Sequence, residues 1–190
     1  GYNAFVPPAA PVVKATARGC SFDKRTYALA FGQRLEVVND DKKGSYTPIL
    51  DGAEYRAVMM SVPYGDPVKL YPTHPAINYV LRDLQARPYM VADVLVLKFS
   101  TIDVTGLDGR YEIPRIPVGK VNVNVLLPAL GKTLGPEGRS IEIKEGDNTL
   151  DLELTYDAKN DKLVPRPPSP FARGSKDEPA ASAGKFGGPP

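Results

Sequence analysis

Helix-breaking residues are scattered through almost the whole sequence, and they constrain the fold more than any other feature. The 190 residues include 20 prolines and 17 glycines, and the apolar runs between them are short and rich in Val, Ile, Thr and Tyr. Proline and glycine disfavour the interior of a helix, whereas β-branched and aromatic residues favour strands. The sequence therefore predicts an all-β fold in which helix is at most a minor component.

Charge and metal-ligand counts exclude several classes of function. The net charge is +2, from 24 basic and 22 acidic residues, which gives no electrostatic reason to expect nucleic acid as a partner. There is one cysteine, Cys20, and one histidine, His74, so neither a disulfide nor a zinc or copper site with several imidazoles is expected. No run reaches the roughly 20 apolar residues that a membrane span requires, and we predict no transmembrane segment.

The chain divides into a folded body with two proline-rich ends. Residues 1–17 are predicted to form an extended arm because Pro7, Pro8 and Pro11 lie among small residues. Residues 157–190 lose apolar periodicity and are predicted to be a Pro/Gly-rich tail that does not fold alone. Since the sequence starts at Gly1, we interpret it as a mature chain after signal-peptide removal, with a trimmed expression product as the alternative.

Between the ends, the strand patterns predict two β-units. Residues 27–31 and 35–38 are interpreted as a β-hairpin, and residues 91–99 as a strand at the centre of a sheet because their apolar run is nearly continuous. Four further strands are predicted at residues 110–113, 120–126, 140–144 and 149–155. They predict a small antiparallel sandwich.

Several short motifs resemble a two-part bacterial family. Gly19-Cys20-Ser21-Phe22 and the run from Phe31 to Asp41 are similar to the opening and the Gly-Gln-x-Leu-x-x-x-Asn-x-Asp turn of cupredoxin-like domains related to plastocyanin. The run from Thr105 to Lys120 resembles the turns of a carboxypeptidase-regulatory-like (transthyretin-like) domain. The resemblance implies a cupredoxin-like Greek-key sandwich over residues 18–98 and a carboxypeptidase-regulatory-like β-sandwich over residues 99–156.

The same resemblance implies a copper site whose ligands are missing. The positions of its first histidine fall on Ser45 and Pro48, its cysteine falls on Arg82 or Leu84, and Arg87 stands at its second histidine. Of the ligands only Met90 is retained, and a thioether alone does not hold copper. We therefore expect no cofactor and no metal, and expect the two arginines to form a cationic loop that pairs with Asp83 or with an acidic partner, or else to be exposed to solvent.

Other candidate sites are explained by local structure. Cys20 is predicted to be a buried strand residue rather than a reactive or lipid-modified thiol, and His74 a surface histidine. Met59 and Met60 are expected in the core. The carboxylates Asp83, Asp103, Asp108 and Glu112 lie on turns that account for them, so we predict no catalytic residues and no enzyme.

Together these features predict a non-enzymatic accessory or scaffold subunit of a periplasmic or otherwise extracytoplasmic, secreted assembly. Its partners are expected to be other protein subunits of a membrane-associated electron-transfer or photosynthetic complex. The chain is expected to contact them through six residues: Tyr2, Phe5, Arg82, Arg87, Phe171 and Phe186. Two alternatives stay open. One is a carbohydrate- or peptide-binding surface formed by Tyr46, Tyr55, Tyr64, Tyr71, Tyr79 and Tyr89, and the other is a copper electron carrier with a non-standard site.

Overall fold

The computed structural model describes residues 7–8, 10–53, 59–85, 87, 89–134 and 137–165, and only the backbone of residues 76–78. These residues contain twelve β-strands and no helix, which confirms the all-β prediction. The strands are β1 Val12–Arg18, β2 Ser21–Phe22, β3 Thr26–Ala30, β4 Arg34–Asn39, β5 Pro48–Asp51, β6 Val68–Leu70, β7 Ala76–Asp83, β8 Val91–Leu97, β9 Gly119–Val123, β10 Leu126–Leu127, β11 Lys132–Thr133 and β12 Arg139–Ile143.

Strands β1–β8 form a sandwich of two four-stranded sheets. One sheet has the order β2-β1-β4-β6 and the other β3-β8-β7-β5. The pairs β1–β4 and β3–β8 are parallel and the remaining pairs are antiparallel, as in a Greek-key sandwich of the cupredoxin-like type. Side chains from both sheets meet in one core, which includes Leu29, Leu35, Val37, Leu81 and Val94.

The predicted central strand is confirmed. β8 lies between β3 and β7, and five of its seven side chains are buried. Because residues on both faces of β8 are covered, its sequence shows no apolar–polar alternation.

The predicted hairpin of residues 27–38 is wrong. β3 pairs with β8 in one sheet, whereas β4 pairs with β1 and β6 in the other. The chain crosses between the sheets at Phe31-Gly32-Gln33, where Gly32 has φ +102° and Gln33 Oε1 accepts the Ala30 N–H at 2.7 Å. The turn signal was correct, but the turn joins two sheets.

The N-terminal arm is shorter than predicted. Residues 12–17 belong to β1, which pairs in parallel with β4 from Val12 to Ala17. Ala15 and Ala17 are fully buried in the core, because small side chains let the two sheets approach each other. The first sandwich therefore begins at Val12 rather than at residue 18.

Residues 99–165 form two separate two-stranded sheets, β12-β9 and β10-β11. The predicted strands at 110–113 and 149–155 are wrong, because neither segment pairs in a ladder. Other hydrogen bonds hold them, among them those from Tyr111 Oη to the Leu150 carbonyl at 2.6 Å and from Arg139 Nη1 to the Asp151 carbonyl at 2.7 Å. The strands at 120–126 and 140–144 are present as β9 and β12, shifted by one to three residues.

Candidate functional site

Four connecting segments meet at one end of the first sandwich. We call this the loop end, and it comprises the β1–β2 turn at residues 18–21 and the segments 40–47, 61–67 and 84–90. The pairings Ala17↔Asn39, Pro48↔Asp83 and Val37↔Val68 place all four there. The connection between segments 61–67 and 40–47 is direct, since Ser61 and Tyr46 exchange two backbone hydrogen bonds of 2.7 and 3.0 Å.

Arg87 lies at the centre of the loop end. Its Nη1 is 2.6 Å from Asp83 Oδ2 and donates to the Ser45 carbonyl oxygen at 3.1 Å. The guanidinium carbon is 4.8 Å from the centre of the Tyr46 ring, a cation–π distance. Burial lowers the pKa of Arg87, but its hydrogen bond and charge interaction with Asp83 raise it by more. The group is therefore a permanent cation.

Asp83 is placed by β7, which ends at this residue. Its side chain is 0% exposed, and its second oxygen accepts the Thr47 N–H at 2.7 Å. Gln85 extends the same contact, donating to Thr47 Oγ1 at 3.0 Å. The carboxylate thus links the 84–90 segment to the 40–47 segment, and the predicted pairing of Arg87 with Asp83 is confirmed.

Tyr46 carries the network to the β1–β2 turn. Its hydroxyl donates to Asp41 Oδ2 and accepts the Cys20 N–H at 3.1 Å. Asp41 also accepts the Gly19 N–H, at 3.1 and 3.2 Å to its two oxygens. Burial, with the Asp41 hydrogen bond, raises the pKa of Tyr46 to about 12, and the bond from Tyr46 lowers the pKa of Asp41.

Cys20 is not the buried strand residue that the sequence predicted. Gly19 and Cys20 occupy the centre of the β1–β2 hairpin turn with φ values of +58° and +60°, the geometry of a type I′ turn. The thiol is half-buried. Met59 and Met60, which were expected in the core, are exposed, at 52% and 62%.

The positions of the predicted copper ligands are only partly brought together. Ser45 and Met90 meet at Arg87, since the Ser45 carbonyl accepts from its side chain and the Met90 N–H donates to its carbonyl at 2.9 Å. Pro48 lies opposite Asp83 at the start of β5. Arg82 does not join this group. Its Nε is 2.6 Å from Asp51 Oδ2, and the two side chains form a nearly buried ion pair on the outer face of β7.

These residues do not fit copper. Ser45 offers only a hydroxyl, which lies 3.4 Å from Gln85 Nε2, and Leu84 and Pro48 have no donor atom. A guanidinium cannot donate an electron pair and repels a metal cation. The described part of the chain contains no group of three or more His, Cys, Asp or Glu side chains that could hold a metal ion.

Two of the predicted partner-binding residues are thus engaged within the chain. Arg82 pairs with Asp51, and Arg87 with Asp83. Tyr2, Phe5, Phe171 and Phe186 lie outside the described residues. Sequence reasoning missed Asp41 and Thr47 and treated Tyr46 only as a stacking ring. The sequence signal for the network is the closeness of the acidic Asp83 to the two arginines Arg82 and Arg87 along the chain.

Comparisons with known proteins find likeness in structure but not in sequence. No family model matches the chain, and no curated protein matches it by sequence. The copper-containing nitrite reductase from Thermus scotoductus is 20% identical, with a TM-score of 0.39, over 50% of this chain and 26% of that one. The chain therefore spans about a quarter of the reductase.

Two smaller proteins are each similar to about half of this chain. Reduced auracyanin from Roseiflexus castenholzii is 14% identical, with a TM-score of 0.38, over 46% of this chain and 98% of its own. Amicyanin from Paracoccus versutus is 15% identical, with a TM-score of 0.38, over 49% and 87%. All three likenesses concern proteins with a cupredoxin fold, and at this level they identify neither a family nor a function. Within the described residues, no helix is long and apolar enough to cross a membrane.

Proposed function

We propose that this chain is a non-enzymatic accessory subunit that binds another protein through its loop end. The observation that supports the proposal is a set of large apolar side chains that are exposed on segments 61–67 and 84–90 of that end and on the two residues before Ser61. We call this set the loop-end surface: Met59, Met60, Val62, Tyr64 and Tyr89. Large exposed apolar patches on a folded domain mark interaction sites. Tyrosine and methionine are also enriched at protein interfaces.

The conformation of Tyr64 favours a binding role over a structural one. Tyr64 is 85% exposed at the tip of a turn closed by the Gly65 N–H and the Val62 carbonyl, 3.1 Å apart. Its φ is +59°, a left-handed conformation that costs a non-glycine residue about 1–2 kcal/mol. A turn that served only the fold would favour glycine or asparagine there. A bulky aromatic held in that conformation and presented to solvent is better explained by a contact outside the chain.

A protein fits this surface better than a sugar, a nucleic acid or copper. Met59, Met60 and Val62 offer thioether and aliphatic groups, which do not form the hydrogen bonds that sugar hydroxyls require. The six tyrosines suggested for a carbohydrate face are separated: Tyr46 and Tyr79 are buried, and Tyr71 lies at the opposite end beside the start of β4. Tyr55 lies outside the described residues. The near-neutral charge disfavours nucleic acid, and the residues around Arg87 disfavour copper.

The proposal keeps the predicted setting. We place the subunit in the periplasm or another extracytoplasmic compartment, in an assembly of protein subunits, and the analogy with copper proteins suggests a membrane electron-transfer or photosynthetic complex. The aromatic residues of the two ends, Tyr2, Phe5, Phe171 and Phe186, are proposed as secondary contacts. Proline-rich segments suit this role because they lose little entropy on docking.

Photo-crosslinking in the organism that produces the chain tests the proposal. Replacing Tyr64 or Tyr89 with p-benzoylphenylalanine should give a discrete adduct with one other protein after irradiation. Tyr71 is the matched control, because it is as exposed as Tyr89, at 61% against 62%, but lies at the opposite end. The same probe at Phe171 tests the tail. Adducts at position 71 equal to those at positions 64 and 89, or none at positions 64 and 89, would contradict docking through the loop end.

A further inference from the structure

We propose that the Arg87 guanidinium is a built-in cation that holds the loop end together, at a position where the cupredoxin-like resemblance would put a copper ligand. The loop end is thus a cation site filled by the chain itself. Three chemically different groups converge on this cation: the Asp83 carboxylate at 2.6 Å, the Ser45 carbonyl oxygen at 3.1 Å and the Tyr46 ring at 4.8 Å. None of these groups is proposed to bind a metal.

Each of these groups favours a positive charge. The Asp83 side chain is 0% exposed. A buried carboxylate without a positive partner is destabilising, so Asp83 requires a cation beside it. A carbonyl oxygen and the face of an aromatic ring both attract cations. The Asp83 carboxylate is also held in position, since its second oxygen accepts the Thr47 N–H at 2.7 Å. The site is therefore complementary to a planar, hydrogen-bonding cation rather than to a compact metal ion.

The cation connects segments that are distant in sequence. Arg87 belongs to segment 84–90, Ser45 and Tyr46 to segment 40–47, and Tyr46 continues through Asp41 to Gly19 in the β1–β2 turn. Tyr89 of the loop-end surface lies two residues beyond Arg87, and the Met90 N–H bonds to the Arg87 carbonyl at 2.9 Å. Arg87 thus acts as a positioning residue for that surface. The inference does not depend on the proposed docking function, because it concerns only contacts within the chain.

Chemical rescue tests the inference on the full-length chain. Arg87→Ala removes the cation and leaves the Asp83 carboxylate buried and unpaired, so we expect the melting temperature to fall by about 5–10 °C. Guanidinium or methylguanidinium chloride at about 20 mM, far below denaturing concentrations, should restore at least half of that loss. Sodium chloride at the same ionic strength should not. Arg110→Ala is the control, because Arg110 forms an exposed pair with Asp108 at 3.6 Å and should show neither loss nor rescue.

A second variant separates a cation site from a general effect of salt. In Asp83→Asn/Arg87→Ala the buried charge is gone, so the double variant should melt above the single variant and lose its response to guanidinium. If Arg87→Ala does not fold, folding of the double variant would still show that the unpaired Asp83 charge is the cause. The proposal is overturned if Arg87→Ala melts like the wild type, if sodium rescues it as well as guanidinium, or if the double variant still responds. Rescue by copper(II) but not by guanidinium would overturn it as well.

Discussion

At the scale of single residues, the loop end contains both stabilising contacts around Arg87 and an energetically unfavourable backbone conformation at Tyr64. Inside, Arg87 contacts the Asp83 carboxylate, the Ser45 carbonyl and the Tyr46 ring. Outside, Tyr64 is exposed in a left-handed conformation that brings no contact recorded within the described chain. The contacts of Arg87 therefore stabilise the fold, whereas the conformation of Tyr64 destabilises it. Both effects can be measured with variants.

Tyr64→Gly should stabilise the chain while weakening partner binding. Glycine removes the cost of the left-handed conformation, a gain of about 1 kcal/mol, and at the same time removes the aromatic ring from the loop-end surface. Thermal denaturation measures the first effect, and crosslinking from position 89 measures the second. Tyr64→Ala is the control, since it removes the ring but retains the strained backbone. A glycine variant less stable than the alanine variant would show that the turn is not strained.

Tyr46→Phe should change the alkaline stability of the chain. The pKa of Tyr46 is raised to about 12, so the folded chain binds more protons than the unfolded chain between pH 10 and 12. This contribution is complete below pH 10 and is lost as the pH rises towards 12. Urea unfolding at pH 8, 10 and 11.5 should show a steeper decline for the wild type than for Tyr46→Phe. Parallel declines would mean that Tyr46 ionises normally.

At the scale of elements, β1 is a central strand of its sheet. It lies between β2 and β4 and contributes Ala15 and Ala17 to the core. Without β1, the sheet would lose its only parallel ladder, and β4 would be paired with β6 alone. The sequence suggested an arm here because the three nearby prolines dominate its composition, but none of them lies within the strand.

Two truncations measure the contribution of β1. A chain that starts at Ala10 retains the strand and the bonds from Gln33 Nε2 to the Ala10 carbonyl and from the Arg34 N–H to the Pro11 carbonyl. We expect it to melt cooperatively, at a temperature close to that of the 190-residue chain. A chain that starts at Arg18 should show no cooperative transition, followed by circular dichroism at 218 nm. Cooperative melting of the shorter chain would show that residues 12–17 are dispensable.

At the scale of the whole molecule, hydrophobic burial is distributed unequally. All residues of the core cluster lie between the start of β1 and the end of β8. Among the described residues from 99 to 165, Ile143 is the one buried hydrophobic residue. Apolar side chains there alternate with polar ones but stay half-exposed, as in β9. Most of the stability of the described chain must therefore come from its first half.

A pair of core truncations should show this difference. Leu29→Ala in β3 removes a fully buried side chain and should destabilise the chain by about 3 kcal/mol. Ile143→Ala should cost about 1 kcal/mol, since its surroundings are open and water replaces the lost contacts. Urea unfolding with intrinsic tyrosine fluorescence gives both values. Equal losses would mean that residues 99–165 have a core as tight as that of the first sandwich.

The sequence alone determined the fold class and the central strand β8, because these depend on which residue types are present and how they alternate. Proline, glycine and β-branched residues exclude helices wherever the chain folds, and a serine or arginine lacks copper-binding chemistry in any conformation. Pairing of Asp83 with the two arginines was also among the alternatives that the sequence left open. The tertiary structure decided the rest. Alternation indicates which face of a strand is buried, but not which strand lies beside it. Three features therefore depend on contacts between residues that are distant in sequence. They are the assignment of β3 and β4 to different sheets, the inclusion of residues 12–17 in the sandwich, and the meeting of Ser45, Tyr46 and Asp83 around Arg87.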